Sequence, residues 1–220
     1  MLAHQTACVI VGNAPPQPIF VEHFISVAEI KKNLMPDYDM LADKWLFQRL
    51  TRTFDQKLIK ALPERSLEPH QVISININVE TVFDTGFDKF VSRIRLKNSQ
   101  PLILEMKLFD VISDIQKYYE AREKITRLGC RITLDAMDMQ SLAVMDRELL
   151  SVDFLKINWK PEYQKMLGTA MEQKVIDAIT THGKMRIILC HCDSQAALDF
   201  GTTVGIHMFQ GFLIDKKLKG

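Results

Sequence analysis

Apolar residues along this chain fall in short blocks separated by turn-forming residues, and the blocks alternate between two spacings. Residues 8–11 form a continuous apolar run, residues 12–18 are rich in Gly and Pro, and residues 19–26 form a second β-type run. That order predicts a hairpin. Leu46, Leu50, Phe54 and Leu58 then recur at every fourth position, which paints one face of a helix. Asp39 is its expected cap and Pro63 its stop. Beyond Pro63 the two patterns alternate. Strands are predicted at residues 72–77, 102–106, 132–134, 154–157, 185–189 and 207–209. Helices are predicted at residues 87–95, 111–128, 142–150, 161–181 and 196–200, with Gly129 and Gly183 closing two of them. The aromatic face around Trp45, Phe47 and Phe54 reads as core.

Repeated strand–helix units imply parallel strands joined by right-handed crossovers. Six such strands plus a hairpin predict an α/β fold, a TIM-like (β/α)8 barrel. No Gly-x-Gly-x-x-Gly turn follows a strand, which argues against a dinucleotide-binding sheet. The sequence carries no internal repeat, low-complexity segment or linker, so residues 1–220 are expected to form a single domain.

Composition narrows the partners. Hydrophobic residues make up 47% and charged residues 25%, ordinary globular usage. Lys and Arg total 28 against 27 Asp and Glu, a net charge of +1, which is too balanced for non-specific nucleic-acid binding. Lys216, Lys217 and Lys219 read as a solvated tail. No apolar run approaches the roughly 18 residues of a membrane span, and the first residues lack the pattern of a secretory signal. With Cys8, Cys130, Cys190 and Cys192 as its four cysteines, the chain is expected in a reducing cytoplasm.

In barrels of this kind chemistry sits at the C-terminal ends of the strands. The polar residues at those ends are Asn76, Glu105, Asp135, Lys156 and Gln210. Amide and carboxylate oxygens converging on one mouth suit a hard cation such as Mg²⁺ or Mn²⁺. Cys190-His191-Cys192 offers zinc-type donors, but a closed zinc site needs about four. A strand would also turn the two cysteines one way and His191 the other, so they read as buried cysteines.

The same strand ends carry a resemblance. Residues 75–78 (ININ) resemble "vNlS", residues 102–105 (LILE) resemble "l-lEitE", and residues 134–137 (LDAM) resemble "LDDFG". Residues 154–158 (FLKIN) resemble "flKID", residues 187–194 (IILCHCDS) stand where "vvAEGVET" belongs, and residues 210–213 (QGFL) resemble "QGyl". Taken in order over residues 70–215, these motifs resemble the EAL family of cyclic di-GMP phosphodiesterases. The signature strand then falls on residues 21–24 with Glu22 as its glutamate. An alternative slides residues 24–29 onto the family's "FIplAE" helix start and leaves no signature glutamate.

The resemblance implies an EAL-type barrel with modified first strands. It implies that Glu22, Asn76, Glu105 and Asp135 are metal ligands, that Lys156 helps activate water beside the metals, and that Gln210 and Asp193 complete the ligand site. The departures change that expectation. Ala136 stands at the second Asp of "DD", Cys190 and Asp193 at the two glutamates of "EGVE", and Ser26 at a phosphate-binding Arg. The loop at residues 137–140 is about two residues short, and Lys217 replaces a closing Pro. Asp138 is the one carboxylate near enough in sequence to substitute at the pair. Losing one carboxylate of a bridged metal pair removes a ligand and a metal's charge together, worth several kcal/mol in the transition state, and each 1.36 kcal/mol is about tenfold in rate.

A degenerate domain is therefore expected: a catalytically inactive interaction or regulatory module in bacterial cyclic di-GMP signalling. The alternative is a cyclic di-GMP-binding or weakly active metal-dependent phosphodiesterase. At most one weak Mg²⁺ or Mn²⁺ is expected on the surviving ligands, and cyclic di-GMP binding is expected to be weak or absent. The expected partners are other signalling proteins or domains, or a second copy in a homodimer, met through residues 137–140 and the helix after them.

Overall fold

The computed structural model describes residues 2–12, 14–34 and 44–219. Eight strands close into one barrel in sequential order. They are β1 (Leu2–Val9), β2 (Gln17–Ile25), β3 (Ile73–Asn76), β4 (Ile103–Lys107), β5 (Arg131–Met137), β6 (Phe154–Asn158), β7 (Ile187–Cys190) and β8 (Met208–Gln210). β1 runs antiparallel to both β2 and β8, and every other neighbouring pair is parallel. The hairpin thus supplies the first two staves, as the modified first strands require.

The helices among the described residues are α1 (Val27–Leu34), α2 (Lys44–Ala61), α3 (Phe87–Lys97), α4 (Leu108–Ser113), α5 (Ile115–Arg127), α6 (Met139–Val144), α7 (Arg147–Leu150), α8 (Ala170–His182), α9 (Gln195–Thr203) and α10 (Phe212–Leu218). Alternating strand residues separate two cores. Ala7, Phe20, Ile103, Phe154, Ile188 and Met208 fill the barrel. A larger cluster that includes Ile75, Leu104, Tyr118, Leu155 and Phe200 lies between barrel and helices. No helix among the described residues is long and apolar enough to cross a membrane.

Several sequence expectations need correction. The first strand spans Leu2–Val9 rather than residues 8–11, because β2 dictates its register from Leu2↔Ile25 to Val9↔Gln17. The helix expected at residues 111–128 is two helices. Asp114 leaves helical geometry at φ −148°, ψ 78°, and its carboxylate caps α5 by accepting from Lys117 N at 3.0 Å. The helix expected at residues 142–150 starts earlier, at Met139, and breaks after Val144. Asp146 then caps α7 by accepting from Leu149 N at 2.9 Å. The helix expected at residues 161–181 begins as a 3-10 turn, Pro161–Met166, and restarts as α8 behind the cap Thr169. In each case a short polar side chain satisfies backbone N–H groups that a continuous helix would bond to carbonyls.

The main reading does not foresee α1; only the alternative alignment places a helix start at residues 24–29. α1 follows β2 directly, with Ser26 Oγ accepting from Glu29 N at 3.2 Å. Glu22 lies in β2, and the helix that the alternative alignment expects begins at Val27. The expected cap Asp39 and the side chains of Trp45, Leu46 and Phe47 lie outside the described residues. Further along α2, Leu58 is buried and Leu50 and Phe54 are half-buried. α2 is fastened by Asp55, whose Oδ2 accepts from Asn78 N (2.8 Å), Asn78 Nδ2 (2.7 Å) and Thr81 Oγ1 (2.8 Å). These donors lie on the segment that leaves β3. Burial pushes the Asp55 carboxyl up to about 6 despite them.

Candidate functional site

The C-terminal ends of the parallel strands surround a cavity of about 420 Å³, with a floor of polar side chains and a wall from α2 and the β2–α1 junction. Glu22, Asn76, Glu105, Asp135, Lys156 and Gln210 all line it. Alternation brings them together: each occupies an inward position near the exit of its own strand.

Lys156 is the centre of the group. Its Nζ lies 2.8 Å from Glu22 Oε2 and 2.5 Å from Glu105 Oε2, so it bridges β2 and β4 from β6. Gln210 Nε2 donates to Glu22 Oε2 at 2.9 Å, and Asn76 Nδ2 donates to Glu22 Oε1. Ser74 Oγ donates to Glu105 Oε1 at 2.5 Å. Lys156 is 3% exposed and Glu105 0%, so this is an interior ion-pair network rather than a surface one.

Burial shapes the charges. It opposes ionisation of Glu22, but the Lys156 ammonium, with the Gln210 and Asn76 donors, holds that carboxyl below its usual range. Glu105 goes the other way: burial first, then the Glu22 charge, push it up, and Lys156 only partly offsets them. The two carboxylates diverge although Glu105 lies nearer the amine. Glu105 is wholly enclosed with one neutral donor, whereas Glu22 has two amide donors besides the ammonium. Burial also works against the Lys156 charge, yet Glu105 and Glu22 together keep the ammonium well above the ordinary lysine range.

The replaced positions have distinct geometry. The β5–β6 register jumps between Leu134 and Met137, and in that irregularity Ala136 takes φ 60° and is exposed on the lining of the cavity. Few residues other than Gly adopt this conformation. Asp135, just before it, is half-buried on the cavity wall. Cys190 ends β7 with its Sγ 3.5 Å from Gln210 Oε1, and burial pushes its thiol well above the usual range, so it stays protonated at neutral pH. Asp138 turns away to cap α6, accepting from Ser141 N at 2.8 Å and Ser141 Oγ at 2.7 Å.

Asp193 does not join the group. It is exposed and accepts from Phe212 N at 2.8 Å, at the start of α10. The alternation expected for residues 190–192 also fails, because β7 ends at Cys190 and His191 takes φ 58°. Cys190 therefore packs inside the barrel, while Cys192 packs outside it, with its Sγ 3.2 Å from Leu189 O. All four cysteines are free. Cys192 N also bonds Gln210 O at 3.0 Å. The two strand exits lie so close there that a Cβ on Gly211 would meet Cys192 backbone atoms at 2.3–2.6 Å. That contact is the physical reason for a glycine after Gln210.

Sequence reasoning missed Ser74; it read Cys190 as a lost glutamate and as a buried cysteine, and the cysteine is buried, but its contact with Gln210 was not foreseen. Period two was the available signal for Ser74, which lies on the face of β3 that carries Asn76. The same period places Lys107 two residues beyond Glu105, on the cavity rim with Asn158 and His191.

A divalent cation of the Mg²⁺ type needs free oxygen donors, usually around six. The carboxylates of Glu22 and Glu105 together accept five protein hydrogen bonds, so an ion would have to share their oxygens with Lys156, Ser74 and two side-chain amides. Asn76 turns its NH₂ group rather than its carbonyl toward Glu22, Cys190 is a neutral thiol, and Ala136 offers nothing. Among the described residues no three His, Cys, Asp or Glu side chains are grouped so as to hold an ion. As arranged, the residues do not fit a two-metal centre.

A closed β/α barrel with a reversed first strand, and acid, amide and lysine groups on successive strand exits, places the molecule among TIM-like barrels whose site opens at the C-terminal rim. The EAL domain model matches residues 14–217, and the chain belongs to the EAL domain family. No curated protein sequence matches it significantly. Among solved structures, it resembles the S helix-GGDEF-EAL part of Vibrio cholerae LapD in its apo form, with TM-score 0.63 and 17% identity over 98% of this chain and 53% of that one. It resembles the FimX EAL domain of Pseudomonas aeruginosa bound to c-di-GMP, with TM-score 0.60 and 14% identity over 96% and 87%. It also resembles the Bacillus subtilis YkuI protein, which has an EAL domain and was solved with c-di-GMP and calcium, with TM-score 0.61 and 15% identity over 97% and 53%. The chain spans about half the length of the LapD and YkuI chains. At these identities the likeness is one of fold.

Proposed function

We propose that this chain is a catalytically inactive EAL domain, a single unit over residues 1–220, that serves as a regulatory or protein-interaction module in bacterial cyclic di-GMP signalling. The observation that carries the reading is the pair of replacements at the mouth. Ala136 supplies no carboxylate where the family pairs two, and Cys190 presents a neutral thiol where the family has a glutamate. Hydrolysis through two metals loses a bridging ligand and a charge together, and the transition state loses several kcal/mol of stabilisation. Glu22, Asn76, Glu105, Asp135 and Lys156 are then vestiges of a metal and catalytic set, and Gln210 of a ligand contact. Asp193, engaged with α10, drops out of the ligand set.

The proposed partners are other signalling proteins or domains in the cytoplasm, or a second copy of the chain, reached through the segment 137–140, of which Met137 and Met139 are buried and Asp138 and Gln140 reach the surface, and through the helices after it. Val144 (83% exposed) and Leu149 (64% exposed) on α6 and α7 support an interaction face there. The test is incubation of the purified chain with cyclic di-GMP and Mg²⁺ or Mn²⁺. No linear dinucleotide is expected, and turnover that Lys156→Ala abolishes would overturn the reading.

A second reading is that cyclic di-GMP still binds and is not cleaved. The open cavity of about 420 Å³ favours it, as does the FimX EAL domain, which was solved with that ligand. Calorimetry separates the two readings. The first expects weak or no binding, and a sub-micromolar dissociation constant would select the second.

A further inference from the structure

We infer that His4 and His23, facing each other across the β1–β2 hairpin on the outer side of the barrel, form a site for a borderline transition-metal ion, specifically Zn²⁺. The site is separate from the mouth, and it stands on observations other than those that carry the proposed function.

The two histidines are brought together by strand register. Side chains alternate along both strands of the hairpin. Gln5 and Glu22 turn into the cavity, so their neighbours His4 and His23 turn outward, and the register sets these two directly opposite each other. The backbone two residues away fixes the kind of pair. Thr6 N donates to Asp215 Oδ1 at 3.2 Å and Val21 N donates to Val72 O at 2.9 Å, so both groups point away from the partner strand of the hairpin. Thr6↔Val21 is therefore a non-hydrogen-bonded pair, and so is His4↔His23. In such pairs the Cα atoms are about 4.5 Å apart and the side chains come closest.

The ring geometry suits an ion between them. The imidazole centroids lie 6.1 Å apart. With Zn–N bonds of about 2.0–2.1 Å, two ligating rings at a tetrahedral angle have centroids about 5 Å apart. A rotation of the His4 side chain, which is exposed, closes the difference of about 1 Å. His23 is half-buried, and its Nε2 is enclosed without a hydrogen-bond partner. An enclosed ring nitrogen left unpaired is costly, and a metal bond would satisfy it. Imidazole suits Zn²⁺, Ni²⁺ and Cu²⁺, whereas carboxylates and water suit Mg²⁺ and Ca²⁺. The hairpin therefore selects a different class of ion from the mouth. The Arg65 guanidinium acts on His23 against a cation and the Glu22 carboxylate acts for one. Among the described residues no third His, Cys, Asp or Glu is grouped with the pair. Water completes the coordination, and the dissociation constant is expected to be micromolar.

An ion here would fasten an overhanging piece of the barrel. β8 pairs only with Ala7, Cys8 and Val9, so residues 2–6 of β1 are paired with β2 alone. Asp215 holds Gln5 and Thr6 from the side. Gln5, Glu22, Phe24 and Ile25 on this part of the hairpin form one wall of the cavity.

The test uses the full chain, freed of metal with chelator, and Zn²⁺ as the probe. Uptake is read by competition with a chromogenic chelator and stability by thermal unfolding. Wild type is expected to take up about one equivalent and to unfold at a higher temperature in Zn²⁺, because the ion binds the folded hairpin. His4→Gln changes an exposed side chain, keeps the fold, and is expected to weaken uptake about tenfold or more and to abolish the rise in unfolding temperature. His4→Cys supplies a thiolate, itself a good Zn²⁺ ligand, and is expected to restore both. Absence of uptake in wild type would overturn the inference. So would uptake that His4→Gln leaves unchanged, or a loss that His4→Cys does not recover. Turnover of cyclic di-GMP would overturn the proposed function and leave this site untouched.

Discussion

Cys190 Sγ lies 3.5 Å from Gln210 Oε1, and Gln210 hands its Nε2 on to Glu22 at 2.9 Å, so a thiol on β7 fixes the amide that supports a carboxylate on β2. Replacing Cys190 by Glu adds a third negative group beside Glu22 and Glu105 at a buried position with one ammonium to serve them all. At neutral pH, without divalent ion, Cys190→Glu is expected to cost about 3–5 kcal/mol, whereas Cys190→Ala loses one weak hydrogen bond, about 1 kcal/mol. Urea unfolding of both variants checks the ratio. Equal losses would show that the thiol has no orienting role.

Glu22 and Glu105 share one ammonium unequally, and the difference is measurable. Lys156 and the amides hold Glu22 ionised, while burial and the Glu22 charge raise Glu105. Removing the charge from Glu22 therefore breaks the stronger pair. Glu22→Gln is expected to cost about 3 kcal/mol and Glu105→Gln only about 1 kcal/mol. The reverse order in urea midpoints would contradict the assignment of charge.

Asp55 predicts a dependence on pH. Burial raises its carboxyl from 3.8 to about 6, so the folded chain binds this proton more tightly than the unfolded one. Stability contributed at Asp55 is therefore greatest below the unfolded value and is lost as pH rises toward the folded one. At about 1.4 kcal/mol per pKa unit, the loss amounts to roughly 3 kcal/mol. Asp55→Asn cannot titrate and should flatten the stability profile between about pH 4 and 6. Parallel profiles for the two proteins would refute the prediction.

Gly211 is required by space as well as by its backbone, which takes φ 158°, ψ 174°. A methyl group there would meet Cys192 backbone atoms at 2.3–2.6 Å and prise apart the exits of β7 and β8. Gly211→Ala is expected to cost about 1–3 kcal/mol and to make Cys192, fully buried in the wild type, reactive toward a thiol reagent. Unchanged thiol protection would mean that the exits adjust without opening.

The sequence by itself determined the strand order and most of the mouth. The apolar blocks that predict six strands lie within a few residues of β3 to β8, because a barrel strand buried on both faces must be apolar whatever surrounds it. Asn76, Glu105, Asp135, Lys156 and Gln210 were legible for the complementary reason: a polar residue closing such a block has only the mouth to enter. Helix breaks were less legible. Asp114, Asp146 and Thr169 fit a helical pattern as residues, and only their capping bonds end or restart the helices. What only the tertiary structure decided is who faces whom. Lys156 meets Glu22 across 134 positions of chain and Cys190 meets Gln210 across 20, and barrel closure sets those pairings, not spacing. Asp193 shows the same limit in the other direction. It follows a strand motif in the sequence, but β7 ends at Cys190 and the left-handed turn at His191 carries Asp193 out to α10.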